Sequence, residues 1–227
     1  EILSGLVGSE MCIRDSDTGV LELNCYHRPF DILGGDWYAS RTRADGRIVV
    51  VVADVSGKGV AAAMVSQTVQ SIWAQALDTE SFDPIEWMSN VNKTLITMGQ
   101  GQLYTMTMGL MVVSGHEVQY YCAGHLPIYL IQNADQKPEV KAFYGRGNIL
   151  GVGPLDVQPV TVPLPKSEEF TVMMGTDGVL DWRTRRNPRA MLNILKGLRT
   201  FGEASLELSE VADDKILVTV GPSSVVA

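Results

Sequence analysis

Six consecutive apolar residues, Ile48-Val49-Val50-Val51-Val52-Ala53, stop abruptly at Asp54. The run is β-branched and short, so it reads as a strand buried on both faces. Beyond Ser56-Gly57-Lys58-Gly59 the period changes. Ala61, Met64, Val65, Thr68, Val69, Ile72, Trp73 and Ala76 fall at helical spacing, predicting a helix from Val60 to Leu77 with these residues as its apolar face. A carboxylate at the end of a dry strand costs several kcal/mol unless it is paired or holds a metal.

The same arrangement recurs along the chain. Asp177 follows Phe170-Thr171-Val172-Met173-Met174 by three residues, and Asp213-Asp214 precede the run Ile216–Val220. Asp36 follows Gly34-Gly35, where bare backbone permits close approach. Lys58, Arg183 and Lys215 are the basic residues near these acids in sequence. Each acid has a plain reading by itself: Asp177-Gly178 a turn, Asp54 a cap before Gly57, Asp213-Asp214 a solvated loop. Their joint placement points to a bound cation. Oxygen-only ligands select magnesium, manganese or calcium. His27, His116 and His125 lack the paired spacing of zinc ligands. Two hard ions sharing a water would make both a nucleophile and a clamp for a phosphoryl group.

The rest of the chain supplies a scaffold. Gly19–Tyr26 reads as a strand, and Asp45-Gly46 as a hairpin turn between Tyr38–Arg43 and Ile48–Val55. Asp83-Pro84 opens a second helix striped by Ile85, Met88, Val91 and Leu95. Further strands are expected at Thr105–Val113, Val118–Cys122, Ile128–Ile131, Phe170–Met174 and Ile216–Val220, and helices at Ala190–Leu198 and Ala204–Val211. This order implies an α+β sandwich rather than an alternating doubly wound sheet.

Composition narrows the partners. Against 26 acidic residues stand 18 Lys+Arg, a net charge of −8 over 227 residues. That balance disfavours nucleic acid and anionic lipid as partners and suits cations. No apolar run approaches the roughly 20 residues needed to span a bilayer, and no secretory leader is visible. Cys12, Cys25 and Cys122 are too few and too scattered for a disulfide framework, which suggests a reducing cytoplasm. Residues 1–16 show no clear period, and Met11-Cys12-Ile13-Arg14-Asp15-Ser16 is what ATG TGT ATA AGA GAC AGT would encode, similar to a sequencing-adapter read-through. Residues 1–16 are therefore expected to be foreign or flexible, 17–221 the catalytic domain and 222–227 a tail, with any sensor domain lying upstream.

The motifs carry a resemblance. Leu33-Gly34-Gly35-Asp36-Trp37-Tyr38 and Ala53-Asp54-Val55-Ser56-Gly57-Lys58-Gly59-Val60-Ala61-Ala62-Ala63-Met64 resemble the opening of the SpoIIE-like branch of the PPM (metal-dependent, type two C) Ser/Thr protein phosphatases. Tyr121-Cys122-Ala123-Gly124-His125-Leu126-Pro127, Asn148-Ile149-Leu150-Gly151, Gly175-Thr176-Asp177-Gly178-Val179 and Ala212-Asp213-Asp214 are similar to its later motifs, in the same order, over about residues 19–220. The resemblance implies a central β-sandwich of two antiparallel sheets flanked by helices, with two manganese or magnesium ions in a cleft. It implies that Asp54 bridges both ions, the Val55 carbonyl helps hold one of them, Asp36 binds on the first metal's side, and Asp177 and Asp213 hold the second, with Asp214 an outer candidate. Asp36 and Asp54 are thereby the catalytic pair. The implied reaction is hydrolysis of phosphoserine or phosphothreonine on an anti-sigma-factor antagonist by in-line attack of water, under an upstream sensor. The helices between Val60 and Met98 are expected to move during activation. A degenerate domain that binds a partner without turnover is the alternative. The chain departs from the branch at Ala39, Trp182 and Lys215-Ile216, and in the short interval from Asp177 to Asp213. No proposed ligand is lost.

Other residues have more than one reading. Lys58 is either a phosphate contact or a solvated loop residue. His125, in a turn between strands, is read as structural ahead of general acid. Gly57 and Gly59 serve a tight strand-to-helix turn. Met106, Met108 and Met111 are read as core filler. Arg183, Arg185, Arg186 and Arg189 form a solvated basic face or dock an acidic partner.

Overall fold

The computed structural model describes residues 9–15, 19–29, 34–43, 45–76, 81–99, 102–134, 137–166, 170–201 and 213–222. Among these described residues, eleven strands form two antiparallel sheets. The six-stranded sheet runs, edge to edge, β1 (Ser9–Asp15), β2 (Gly19–Arg28), β11 (Lys215–Pro222), β10 (Phe170–Gly175), β7 (Ile128–Ala134) and β8 (Lys137–Phe143). The five-stranded sheet runs β3 (Trp37–Thr42), β4 (Ile48–Val55), β5 (Met106–Val113), β6 (Glu117–Ala123) and β9 (Val160–Pro163). Among the described residues the helices are α1 (Val60–Ala76), α2 (Pro84–Gly99), α3 (Trp182–Arg185) and α4 (Pro188–Phe201). The expected sandwich of two antiparallel sheets with flanking helices is the observed fold.

The continuous apolar run in β4 is explained by its neighbours. Ile48, Val50 and Val52 point into the core between the sheets, where they meet Met111, Val172, Ile216 and Val218. Val49, Val51, Ala53 and Val55 point the other way, against Val65, Val69 and Trp73 of α1 and Met88, Val91 and Leu95 of α2. Neither face sees water, so period-two alternation has no reason to appear. On the opposite side of the sandwich, Met173 and Leu217 pack beneath Met191, Leu195 and Leu198 of α4. The three methionines of β5 are fully buried.

Local chemistry sets the element ends. Gly46, at φ 82°, turns the hairpin from β3 to β4. Asp83 caps α2, its Oδ1 accepting from Ile85 N at 2.8 Å and Glu86 N at 3.0 Å, with Pro84 in the first helical position. Trp73 of α1 stacks edge-on to Trp87 of α2 at 5.2 Å and to Phe82 at 5.9 Å, tying the two helices together.

Two details differ from expectation. The buried residues of α1 are Ala62, Val65, Ser66, Val69 and Trp73, while Met64 is 64 % exposed. The helix is rotated because Trp73 anchors it to Trp87. In α2 the buried set is Trp87, Met88, Val91, Asn92, Leu95 and Gly99, and Ile85 faces outward. Strands β8 and β9 lacked a sequence signal because they are edges, which need no alternating apolar face and tolerate Pro138 and Pro163. Residues 9–15, within the segment expected to be foreign, form the edge strand β1 paired to β2 from Ser9↔Cys25 to Asp15↔Gly19. The helix expected at Ala204–Val211 lies outside the described residues.

Candidate active site

Strand ends from both sheets meet at one end of the sandwich. In the five-stranded sheet Trp37 pairs with Ala53, which places Asp36, just before β3, next to Asp54 near the end of β4. In the six-stranded sheet Gly175 pairs with Leu217, which places the Thr176–Leu180 turn beside Asp213-Asp214. The two halves are joined directly. Gly35 N donates to Asp214 Oδ2 at 3.0 Å, and Asp36 N donates to the same oxygen at 3.4 Å. Glycine is required for this approach: a Cβ on Gly34 would stand 2.4 Å from Asp214 Oδ2, and one on Gly178 would stand 2.0 Å from the Asp214 carbonyl oxygen.

Two hydroxyls fix the same turn. Buried Thr176 donates from its backbone to Ile216 O at 3.0 Å, accepts Ile216 N at its Oγ1 at 3.1 Å and lies 3.4 Å from Asp214 O. Ser66, on the buried face of α1, donates to Gly35 O at 2.5 Å. The Val55 carbonyl oxygen lies under the same turn, 3.0 Å from where a Gly35 Cβ would be.

The doublet is split in role by position. Asp214 is buried and committed to the Gly35–Asp36 backbone. Asp213 is more open, and its Oδ1 lies 3.1 Å from Lys58 Nζ. Asp177 is exposed at the turn after β10. Asp36 and Asp54 are hydrogen-bonded to one another. Burial, reinforced by the charges of Asp54 and Asp214, pushes the Asp36 carboxyl up to about 9. Asp54 is also raised, chiefly by burial, with Asp177, Asp213 and Asp214 adding to the effect. All the acids proposed from sequence therefore belong to one end of the fold and feel one another's charge.

The donors are carboxylates and one carbonyl, a set that suits a hard divalent cation. The chemistry of this donor set suits such an ion. Among the described residues, no group of three or more His, Cys, Asp or Glu side chains is already arranged to hold a metal ion.

His125 lies behind this cluster. Its Nδ1 is 3.0 Å from Oγ1 of Thr107, the β5 residue directly opposite Asp54. Its ring edge fills the space a Gly109 side chain would need, 2.7 Å from that Cβ position, and Nε2 is out of water without a well-formed hydrogen bond. Burial holds its pKa down to about 4, so the ring is neutral. Thr107, Thr176 and Ser66 were not assigned roles from sequence. Thr176 sat inside a recognised motif, whereas Ser66 was hidden by the misplaced face of α1.

A family profile described as Stage II sporulation protein E (SpoIIE) matches residues 44–220. The chain belongs to this family. Its family and fold are those of Ser/Thr protein phosphatases of the PPM class. Among solved structures, the SiaA-PP2C domain of Pseudomonas aeruginosa superposes with a TM-score of 0.67 at 22% identity, covering 89% of this chain and 86% of that one. RsbX in complex with magnesium gives 0.65 at 15% identity, covering 95% and 100%. The RsbU and RsbW domains of Rv1364c from Mycobacterium tuberculosis give 0.69 at 21% identity, covering 98% and 65%. A search of curated protein sequences gave no significant match. Among the described residues of this SpoIIE-family domain, no helix is long and apolar enough to cross a membrane.

Proposed function

We propose that this domain hydrolyses phosphoserine or phosphothreonine on a protein substrate, of the anti-sigma-factor antagonist type, using manganese or magnesium. The observation that carries the reading is the convergence of acids from both sheets at one end of the sandwich, Asp36 and Asp54 from one and Asp177, Asp213 and Asp214 from the other, with Asp214 hydrogen-bonded to Gly35 across them. When bound, two such ions would supply Lewis acidity and an activated water for in-line attack on phosphorus. Asp54, with acidic neighbours from both sheets, would be the ligand shared by the two ions. Asp36 and the Val55 carbonyl would help hold one, and Asp177 and Asp213 the other. Asp214 keeps the Gly34–Asp36 turn in place through its two backbone hydrogen bonds and stands as an outer ligand. Lys58, exposed at the start of α1, meets the substrate phosphoryl oxygens. The relation to RsbX and RsbU folds supports a phosphoprotein substrate, and the acidic charge balance favours a protein partner over nucleic acid.

The test is hydrolysis of para-nitrophenyl phosphate and of a phosphorylated antagonist protein, with manganese and with chelator. Turnover is expected to require the metal. Asp54→Asn should lower kcat by at least about a hundredfold, as loss of an electrostatic stabiliser of the transition state does, while far-ultraviolet circular dichroism stays unchanged. Metal-independent turnover, or full activity in that variant, overturns the mechanism. Absence of turnover in the folded, metal-loaded wild type on both substrates would instead favour the binding-module reading.

A further inference from the structure

The ion pair between Lys58 and Asp213 places a cationic side chain on an acid proposed as a ligand. The ammonium lies 3.1 Å from Asp213 Oδ1 and also feels the charges of Asp214 and Asp36. It approaches the cluster from the open side, and both partners are accessible, at 63% and 42% of their side-chain surface. Exposed pairs of this kind are weak and salt-screened, so partner exchange is easy. The backbone is built for exchange as well. Lys58 stands between Gly57 at φ 100° and Gly59 at φ 77°, and neither glycine has an atom within 4 Å of its Cβ position. The segment therefore turns in open space, restrained on one side by β4 and on the other by the first turn of α1.

The two members of the aspartate doublet differ in the same sense. Asp214 cannot exchange partners without releasing Gly35 and Asp36. Asp213 gives up only a surface lysine, while its Oδ1 keeps the Asp214 N–H at 3.1 Å.

We propose that Lys58 and the second cation compete for Asp213, so that cation binding there frees the Lys58 ammonium to engage the substrate phosphoryl group. The site that Asp213 serves is the weaker one on this reading, because Lys58 contests its ligand, and its occupancy and substrate affinity are then coupled through one side chain on a two-glycine hinge. This rests on the phosphatase reading above, in which Asp213 is a ligand and Lys58 a phosphate contact. It adds that the two roles are mutually exclusive for Lys58. Lys58 would thus be a positioning residue toward the cation and a binding residue toward the substrate.

The experiment is calorimetric titration of manganese into the full chain at low salt, for wild type, Lys58→Met, Asp213→Asn and the double variant. Lys58→Met is expected to tighten the weaker manganese site by roughly fivefold, the size of one lost exposed ion pair, and Lys58→Arg to restore wild-type affinity. The gain should shrink as salt rises. It should vanish in the Asp213→Asn background, because the contested carboxylate is gone. With the phosphoprotein substrate, Lys58→Met should raise KM despite the tighter metal. An unchanged isotherm in Lys58→Met, or the same gain with and without Asp213, overturns the competition. Failure of wild type to bind manganese, or Asp54→Asn binding it as wild type does, would instead refute the underlying phosphatase reading.

Discussion

His125 shows how far one residue's environment departs from its sequence context. In the chain it follows a glycine in a turn; in the fold its ring lies between the sheets, against Thr107, Gly109 and the Gly175 backbone. Burial lowers its folded pKa to about 4 from an unfolded value of 6.5. Between those values the unfolded chain binds the proton and the folded one does not, so stability is full above pH 6.5 and is lost as pH falls toward 4. The loss from this residue is on the order of 3 kcal/mol. Urea unfolding at pH 7, 5.5 and 4.5 should show that slope in wild type and a flatter one in His125→Gln. A difference between the two proteins that is constant with pH would assign the acid sensitivity elsewhere. The acids themselves were legible because a charge ending a dry run, as Asp54 does, is an anomaly that chemistry must resolve. The division of labour between Asp213 and Asp214 was not, since adjacent residues look alike until one carboxylate turns in to cap Gly35.

At the scale of elements, α2 is held to the site by one buried amide. Asn92 Oδ1 accepts Gly151 N at 2.7 Å, and its Nδ2 donates to Gly153 O at 2.8 Å. The loop it grips is also laid on the start of β5, with Leu150 N donating to Met106 O at 3.0 Å and Met106 N to Leu150 O at 3.2 Å. Asn92 therefore connects the helix expected to move in activation to the Leu-Gly loop beside the acid cluster. Asn92→Ala would strand a backbone donor and a carbonyl, costing about 1–3 kcal/mol for each group left buried without a partner. Amide exchange of residues 150–153 and of α2 should accelerate together in this variant. Acceleration confined to the loop would show that helix and loop are not coupled. The helices were readable from their periods, but not their orientation. The rotation of α1 that buries Ser66 and exposes Met64 is set by Trp73 meeting Trp87, a contact between elements that no single-helix pattern contains.

At the scale of the molecule, the six-stranded sheet ends in β1, which makes backbone pairs with β2 alone. The central core draws on β2 through Leu21, Leu23 and Cys25. We propose that residues 17–221 are the catalytic unit. A chain lacking residues 1–16 should keep metal-dependent turnover within about twofold, since the deleted strand is an edge of the sheet that does not contain β3 and β4 and is separated from β11 by β2, with β2 as a new edge more prone to self-association. Loss of folding on that deletion, read by circular dichroism and size-exclusion chromatography, would make β1 integral. The overall architecture was legible because strand-like and helix-like runs alternate in blocks. The polar edge strands were not, because nothing in their burial demands a pattern.

The division of the acids between two sheets has a mechanical consequence. Asp36 and Asp54 belong to one layer, Asp177, Asp213 and Asp214 to the other, and Asp214 already laces the layers together through Gly35. An ion shared by both groups would act as a rivet through the laminate, and prising the layers apart at that end would require expelling it. Scarcity of divalent ions would then be felt as a loosening at the open end of the sandwich, where a protease would find its first purchase.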